Sequence, residues 1–469
     1  MSNVAPSARQ APRLPAVTIA RYAAGSLGTG GYATLPGLVL TYFLTDHLGV
    51  TALLAGVIVT GAKIWDVVID PLIGAASDRQ LARTGSRRGF MIWGSFTLPV
   101  FFALTFAVPP LFGPVAGAIC VLLAFLATAT AFSFFQVPYV ALPAELTTRY
   151  NERTRLLSWR VIVLTAAILL FGAGGPVLRG ITGNPVTGYL LMGIVAGLVI
   201  GVGMLIASRT ADTASEMVRE EMQQAPDATP VPAPAPAPTI RAQYAAGFST
   251  LRRSAPFRAL LATFFLQALA TATMLAGAQY VATWVLNSAD AVTFLFIALV
   301  GPALIATPAW AWLSHRVGKE RAFAVATALF LLAAATITGA VWAPGLWIYA
   351  SVAVAGIAYA GLQALPMAML PDVISHDERT HGRGLAGTFT GVWTAGETIG
   401  FALGASIVAG VLAVTGYVSR VASAASVTQP EVAIAGIVLC FSAVPAALLL
   451  ASLLTLRRYH LRRSDIDVG

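Results

Sequence analysis

The chain has 469 residues, of which 57% are hydrophobic and only 10% charged, with a formal net charge of +9. Soluble proteins carry about 25% charged residues, so the chain reads as an all-α polytopic membrane protein. Its 29 Lys and Arg residues form no stripe interleaved with aromatics, which removes support for nucleic-acid binding. The two cysteines, Cys120 and Cys440, lie inside apolar runs without disulfide or metal-ligand spacing, so no metal site is expected.

Residues 1–20 are rich in Pro, Ala and Ser and lack the apolar h-region of a signal peptide; they read as a disordered cytoplasmic tail. An apolar helix of about 20 residues crosses a bilayer. Twelve such stretches follow. Six fall at 24–44, 53–76, 90–108, 115–142, 161–178 and 188–207, and six at 260–286, 292–313, 322–341, 346–370, 385–414 and 432–456. Residues 21–207 and 258–456 are therefore expected to form two six-helix bundles. Residues 208–257 join them as a cytoplasmic linker whose Pro/Ala run, 230–238, can only form an extended spacer. Residues 457–469 form a cytoplasmic tail. With both termini cytoplasmic, 26 of the 29 basic residues fall on the cytoplasmic side, Arg179 and Arg420 lie outside, and Lys63 lies within the membrane. That asymmetry obeys the positive-inside rule.

The halves repeat. Residues 150–155 (Tyr-Asn-Glu-Arg-Thr-Arg) follow span 4, and residues 376–380 (His-Asp-Glu-Arg-Thr) follow span 10. Basic loops likewise follow spans 2 and 8. Parallel six-helix repeats are the signature of major facilitator transporters, which bind solute between the halves near the midplane. The loop after span 2, with Asp78, Arg79, Arg87 and Arg88, is expected to latch the cytoplasmic helix ends.

Charges inside the membrane carry the functional signal, because each costs roughly 2.5–3.5 kcal/mol at a helix centre. Lys63, Asp66 and Asp70 lie in span 2, and Glu397 in span 11. Asp66 and Asp70 are four residues apart and share a helix face. Two carboxylates so close hold a proton between them or bind a cation, and Lys63 balances part of their charge. Pro71 leaves the carbonyl of Val67 without its helical donor, either as a further cation ligand or as a simple kink. Glu397 reads as a proton carrier, a solute contact or a partner of Lys63 or Arg160. Gly396, Gly400 and Gly404 beside it allow another helix to approach closely. In span 4, Gln136 and Tyr139 flank Pro138 and offer a polar group and a stacking ring. Arg160, at the start of span 5, suits an anionic group or acts as a topogenic stop. No nucleotide-binding loop, nucleophile elbow or metal motif appears, so neither an enzyme nor an organic cofactor is expected.

Three segments together resemble the glycoside-pentoside-hexuronide:cation symporter family, the melibiose-permease-like branch of the major facilitators. They are residues 63–74 (Lys-Ile-Trp-Asp-Val-Val-Ile-Asp-Pro-Leu-Ile-Gly), 137–147 with 151–155, and 370–394 from Leu370-Pro-Asp372 to Gly391-Val-Trp-Thr394. The resemblance implies a cation site of Asp66 and Asp70 with Ser133, charge balance by Lys63, and a solute site of Gln136, Tyr139, Arg160, Trp393 and Glu397. Three positions depart from it: Gly30 and Gln136 stand where the sugar carriers have aspartates, and Thr398 where a lysine is frequent. The expected function is symport of a small organic solute, a glycoside or glucuronide-like sugar, with H+ or Na+, by a monomer in the cytoplasmic (inner) membrane. A lysolipid carrier on the same fold and a proton-coupled exporter are the alternatives.

Overall fold

The computed structural model describes residues 13–147, 150–215, 249, 251–288, 290–381, 386–421 and 427–461. The Pro/Ala run 230–238, residues 1–12 and residues 462–469 lie outside the described residues. The described chain is helical, with one isolated antiparallel bridge between Leu48 and Val421. The amino-terminal half contains α1 (Ala16–Ala24), α2 (Ser26–Asp46), α3 (Ala52–Thr84), α4 (Arg88–Phe106), α5 (Gly113–Leu146), α6 (Tyr150–Gly180) and α7 (Pro185–Ser208). The carboxy-terminal half contains α8 (Ala255–Tyr280), α9 (Ala291–Val317), α10 (Lys319–Ile337), α11 (Trp347–His381), α12 (Ala386–Val414), α13 (Glu431–Phe441) and α14 (Ala443–Leu456).

Among the described residues, eleven helices are long and apolar enough to cross a membrane. The twelfth expected span is α2. Its Gly28, Thr29, Gly30, Gly31 and Thr34 make it less apolar, and its side chains are mostly buried against neighbouring helices rather than turned to lipid. Together these helices make the twelve-span major facilitator fold. Large apolar side chains elsewhere, such as Trp93, Ile305 and Leu332, are exposed on the outer surface, as a lipid-facing belt requires.

Several boundaries differ from the sequence reading. Helix begins at Ala16, inside the stretch read as a tail, and breaks once at Gly25. Residues 150–155 and 376–380, read as loops, are helical turns of α6 and α11. Helical structure also runs on to Ser215, so the linker is shorter than 208–257. The common cause is that apolar length measures only the membrane crossing. These helices continue past it as polar turns held by ion pairs. The last span is two helices, broken at Ser442, whose hydroxyl donates to the Val438 carbonyl at 2.7 Å ahead of Pro445.

The halves meet along three seams, α2–α8, α3–α12 and α6–α9. At the end opposite the chain termini they are cross-bonded. The Tyr417 hydroxyl donates to Asp46 Oδ2 at 2.7 Å, Arg420 Nε to Asp46 Oδ1 at 3.2 Å, and the Arg420 amide to the Thr45 carbonyl at 2.9 Å. Thr45 and Tyr280 hydroxyls lie 2.8 Å apart, and Arg179 donates to Gln279 Oε1 at 3.1 Å. At the termini-bearing end, the ion pairs Arg87–Glu145, Arg88–Asp212, Arg253–Asp377 and Lys319–Asp372 each lie within one half. The bundle is thus closed at the end opposite the termini.

Candidate functional site

α3 contributes the charged centre. It runs without interruption through Pro71, so Asp66 and Asp70 keep their one-turn spacing on one face. Asp66 is buried, and Lys63 Nζ lies 3.4 Å from its Oδ2, an i,i+3 ion pair. The Tyr32 hydroxyl of α2 donates to the same oxygen, also at 3.4 Å. Lys63 Nζ sits 4.2 Å from the centroid of the Tyr32 ring, and that ring stacks on Phe132 of α5 at 4.0 Å. Ser133, fully buried on α5, interacts with the Asp70 carboxyl. One oxygen of each carboxyl group, Oδ1 of Asp66 and Oδ1 of Asp70, is buried without a hydrogen-bond partner. Buried polar atoms are normally satisfied, and two unsatisfied carboxyl oxygens one turn apart form a ready place for a cation. Asp66, Asp70, Lys63 and Ser133 are therefore gathered as the sequence suggested.

Around this centre lie the uncharged and solute-facing groups. Gln136 Oε1 accepts from Thr29 Oγ1 at 2.9 Å, which ties α5 to α2. Arg160 is half-buried at the start of the apolar part of α6, its Nε buried without a partner. Glu397, on α12 of the other half, interacts electrostatically with Arg160 without a close ion pair to it among the described residues.

Tyr139 and Trp393 are packed among other aromatic rings, Trp393 with its Nε1 buried without a hydrogen-bond partner. Tyr139 is fully buried, its ring stacked between Tyr22 at 4.6 Å and Phe135 at 5.0 Å, and its hydroxyl donates to the Tyr22 carbonyl at 2.9 Å. It supports Arg160, whose guanidinium lies 5.4 Å from the ring centroid. Trp393 is 2% exposed and stacked on Phe264 at 4.2 Å. Both rings are covered by other aromatic side chains in this conformation.

The turn after α3 is held by ion pairs within the amino-terminal half. Arg87 bonds Asp78 at 2.6 Å, Glu145 of α5 at 2.7 Å and the Ser77 hydroxyl at 2.9 Å, and Arg88 bonds Asp212 at 2.5 Å. Arg79 is exposed and stands outside this cluster. Gly85, at φ +72°, makes the left-handed turn that brings Arg87 back onto α3. The other half repeats the device, with Lys319 on Asp372 at 2.6 Å and Arg253 on Asp377.

Sequence reasoning missed Tyr32, Thr29, Glu145 and Asp46. Thr29 and Tyr32 were readable in principle: polar groups three residues apart in a Gly-rich span lie on one face. Gly30 proves to be a packing position. A Cβ there would come within 2.7 Å of Ala167 Cβ and 3.2 Å of the Leu164 carbonyl on α6, so the aspartate of the sugar carriers is excluded by the α2–α6 contact. The glycine row of α12 serves packing too, since a Cβ at Gly404 would fall 2.4 Å from Ala272 of α8.

Comparison with known proteins gives the same architecture. The model of the family described as MFS/sugar transport protein matches residues 21–463. The glucuronide carrier protein homolog of Escherichia coli (strain K12) is 25% identical, over 95% of this chain and 92% of its own. The inner membrane symporter YicJ of the same organism is 23% identical, over 90% and 87%. Among solved structures, a D-xylose-proton symporter superposes with a TM-score of 0.66 at 13% identity, covering 94% of this chain and 96% of that one. At that identity the likeness concerns the fold.

Proposed function

The chain belongs to the MFS/sugar transport protein family and is a multi-pass secondary transporter, not an enzyme; from that premise we propose that it sits in the inner membrane, as the name of one relative suggests, and carries an anionic, glucuronide-like sugar in symport with one monovalent cation. The observation that carries this reading is the pair of unpartnered, buried oxygens on Asp66 and Asp70. Lys63 already balances one of the two carboxylates, so one net negative charge remains and one H+ or Na+ neutralises the group. Arg160 Nε, buried and unpartnered, offers a guanidinium donor to a carboxylate, which guanidinium binds well. Gln136 and Glu397 supply hydrogen bonds for sugar hydroxyls. The glucuronide name of one relative agrees with that donor set.

The transport cycle follows from charge and burial. With the basic ends cytoplasmic, as the positive-inside rule requires, the bundle is closed on the outside and faces the cytoplasm. An unneutralised carboxylate opposes closure of the seam around it, because burial of an unpaired charge is costly. Cation and solute together remove that cost, and the halves rock to alternate access.

The test is transport in proteoliposomes loaded with a pH-sensitive dye. A panel of glucuronides and neutral glycosides is added with and without sodium. Acidification that depends on the solute identifies proton symport; sodium-dependent uptake without acidification identifies Na+. Asp66→Asn and Asp70→Asn are expected to abolish gradient-driven accumulation. Undiminished accumulation in both variants would refute the assignment of the cation site.

A further inference from the structure

Lys63 lies on the same helix face as the two carboxylates, and its ammonium is itself a monovalent cation on a flexible tether. It is within 3.4 Å of Asp66 Oδ2, and Asp70 is two turns along the same helix. Any coupling ion must therefore compete with an internal cation already in the site. Two features of the surroundings bear on that competition. The Tyr32 ring offers Lys63 Nζ a second berth, 4.2 Å from the ring centroid, where the aromatic quadrupole attracts an ammonium. The Tyr32 hydroxyl donates to Asp66 Oδ2, so it supplies part of the stabilisation that Lys63 would otherwise give. The ring is held in place by its stack on Phe132 and by full burial on α2.

We propose that Lys63 is a tethered competitor of the coupling cation and that Tyr32 is the positioning residue that berths it. The ammonium is drawn over the ring and onto Oδ2, the oxygen of Asp66 that already has donors. Oδ1 of Asp66 and Oδ1 of Asp70 are thereby left to the incoming ion. When the ion arrives, Lys63 shifts weight from the carboxylate to the ring; when it leaves, Lys63 returns. The empty carrier thus never holds two bare carboxylates, which lowers the cost of reorienting it without a bound ion. This rests on the assignment of Asp66 and Asp70 as the cation site.

The consequence is a specific pattern of coupling between two substitutions. Tyr32→Leu removes both berth and hydroxyl, and Lys63 falls back on the carboxylates. The half-saturating cation concentration for solute uptake is expected to rise about 5–10-fold, the range a partly desolvated cation–π contact supports. Lys63→Gln removes the competitor, so the double variant should match Lys63→Gln alone within about twofold. A ring that only fills space predicts instead that the losses persist when Lys63 is gone.

The experiment measures half-saturating cation concentration in proteoliposomes for wild type, Tyr32→Leu, Lys63→Gln and the double variant, with folding checked by melting of the purified proteins. Suppression of the Tyr32→Leu defect by Lys63→Gln supports the proposal; an undiminished defect in the double variant overturns it. Tyr32→Phe retains the berth and stands in where the leucine variant does not fold. Its half-saturating concentration should stay within about threefold of wild type, and a tenfold rise would overturn the proposal. Asp70→Asn, run in parallel, separates the two levels. Coupled uptake surviving in Asp70→Asn sinks the cation site itself, whatever the Tyr32 variants do.

Discussion

Asp46→Asn should tip the carrier away from the conformation seen here. Asp46 ends α2 with its side chain 1% exposed, and it accepts from two groups of the other half: the Tyr417 hydroxyl at 2.7 Å and Arg420 Nε at 3.2 Å. These bonds exist only while the end opposite the termini is closed. Replacing the carboxylate by an amide of the same size removes the negative charge and leaves one acceptor oxygen for two donors, so one bond is lost and the other weakened, at about 1 kcal/mol each. The Arg420 side chain is 28% exposed, and solvent screening reduces its share. The closed state therefore loses about 1.5–2 kcal/mol, which moves the equilibrium between the two faces about 10–30-fold toward opening at that end. The assay is electron-electron distance measurement between spin labels at Ile181 and Val414, both exposed at that end, one on each half, with Cys120 and Cys440 replaced by alanine. A new, longer distance population is expected in Asp46→Asn. A distribution identical to wild type would show that the cross-bonds do not set the balance, and would refute the reasoning.

Three further expectations concern the other groups. Arg87 bonds Glu145 and the exposed Asp78 with its own side chain 11% exposed, so Arg87→Ala should destabilise the protein by about 1–3 kcal/mol. Exposed Arg79→Ala should stay within about 0.5 kcal/mol, and melting temperatures of the purified variants separate the two. Gly30→Asp should fail to confer melibiose uptake and should lower the melting temperature, since its Cβ meets Ala167 and the Leu164 carbonyl. Wild-type stability in Gly30→Asp would mean that α2 and α6 can separate freely. Arg160→Gln should weaken binding of glucuronides at least about tenfold and spare neutral glycosides, read by competition against a labelled solute; equal losses for both classes would remove the carboxylate from the recognition scheme.

How much of this was legible beforehand depends on the range of the physics involved. Membrane spans are set by local apolar length, which marks eleven of the described helices, whereas α2 is less apolar because its side chains are mostly buried among its neighbours. The pairing of Asp66 with Asp70 and Lys63 is also local, fixed by helical spacing on α3 alone. Tyr32, Glu145 and Asp46 were not legible. Their roles depend on what stands opposite, Asp66 of α3 for Tyr32, Arg87 ahead of α4 for Glu145 and the segment after α12 for Asp46, and these contacts are long-range facts. Tyr139 and Trp393 show the same limit from the other side. An aromatic beside the site in sequence reads as a stacking surface, whereas Tyr22, Phe135 and Phe264 already cover these rings. Helix ends were misjudged where polar turns at 150–155 and 376–380 prolong α6 and α11, because a polar helix outside the bilayer has the composition of a loop.

The distribution of bonds between the halves also says where a coupled carrier must spend its driving force. At the end opposite the termini the halves share the Asp46 cluster, Arg179–Gln279 and the Thr45–Tyr280 contact. Midway along the α3–α12 seam, the Thr60 hydroxyl donates to the Ala402 carbonyl at 3.0 Å. Asp66 lies less than two turns below Thr60 on the same helix, so the cation site is at the inner edge of the closed seam. Rocking toward the other face must open the Asp46 end and bring together the inner helix ends. Arg87–Glu145 and Lys319–Asp372 keep each half rigid while that happens, since each pair ties helices of one half only. The carboxylates then pass from the edge of a closed seam into the path of the closing one. Their charge state is therefore felt most at the moment of closure, where one bound cation decides whether the movement goes forward.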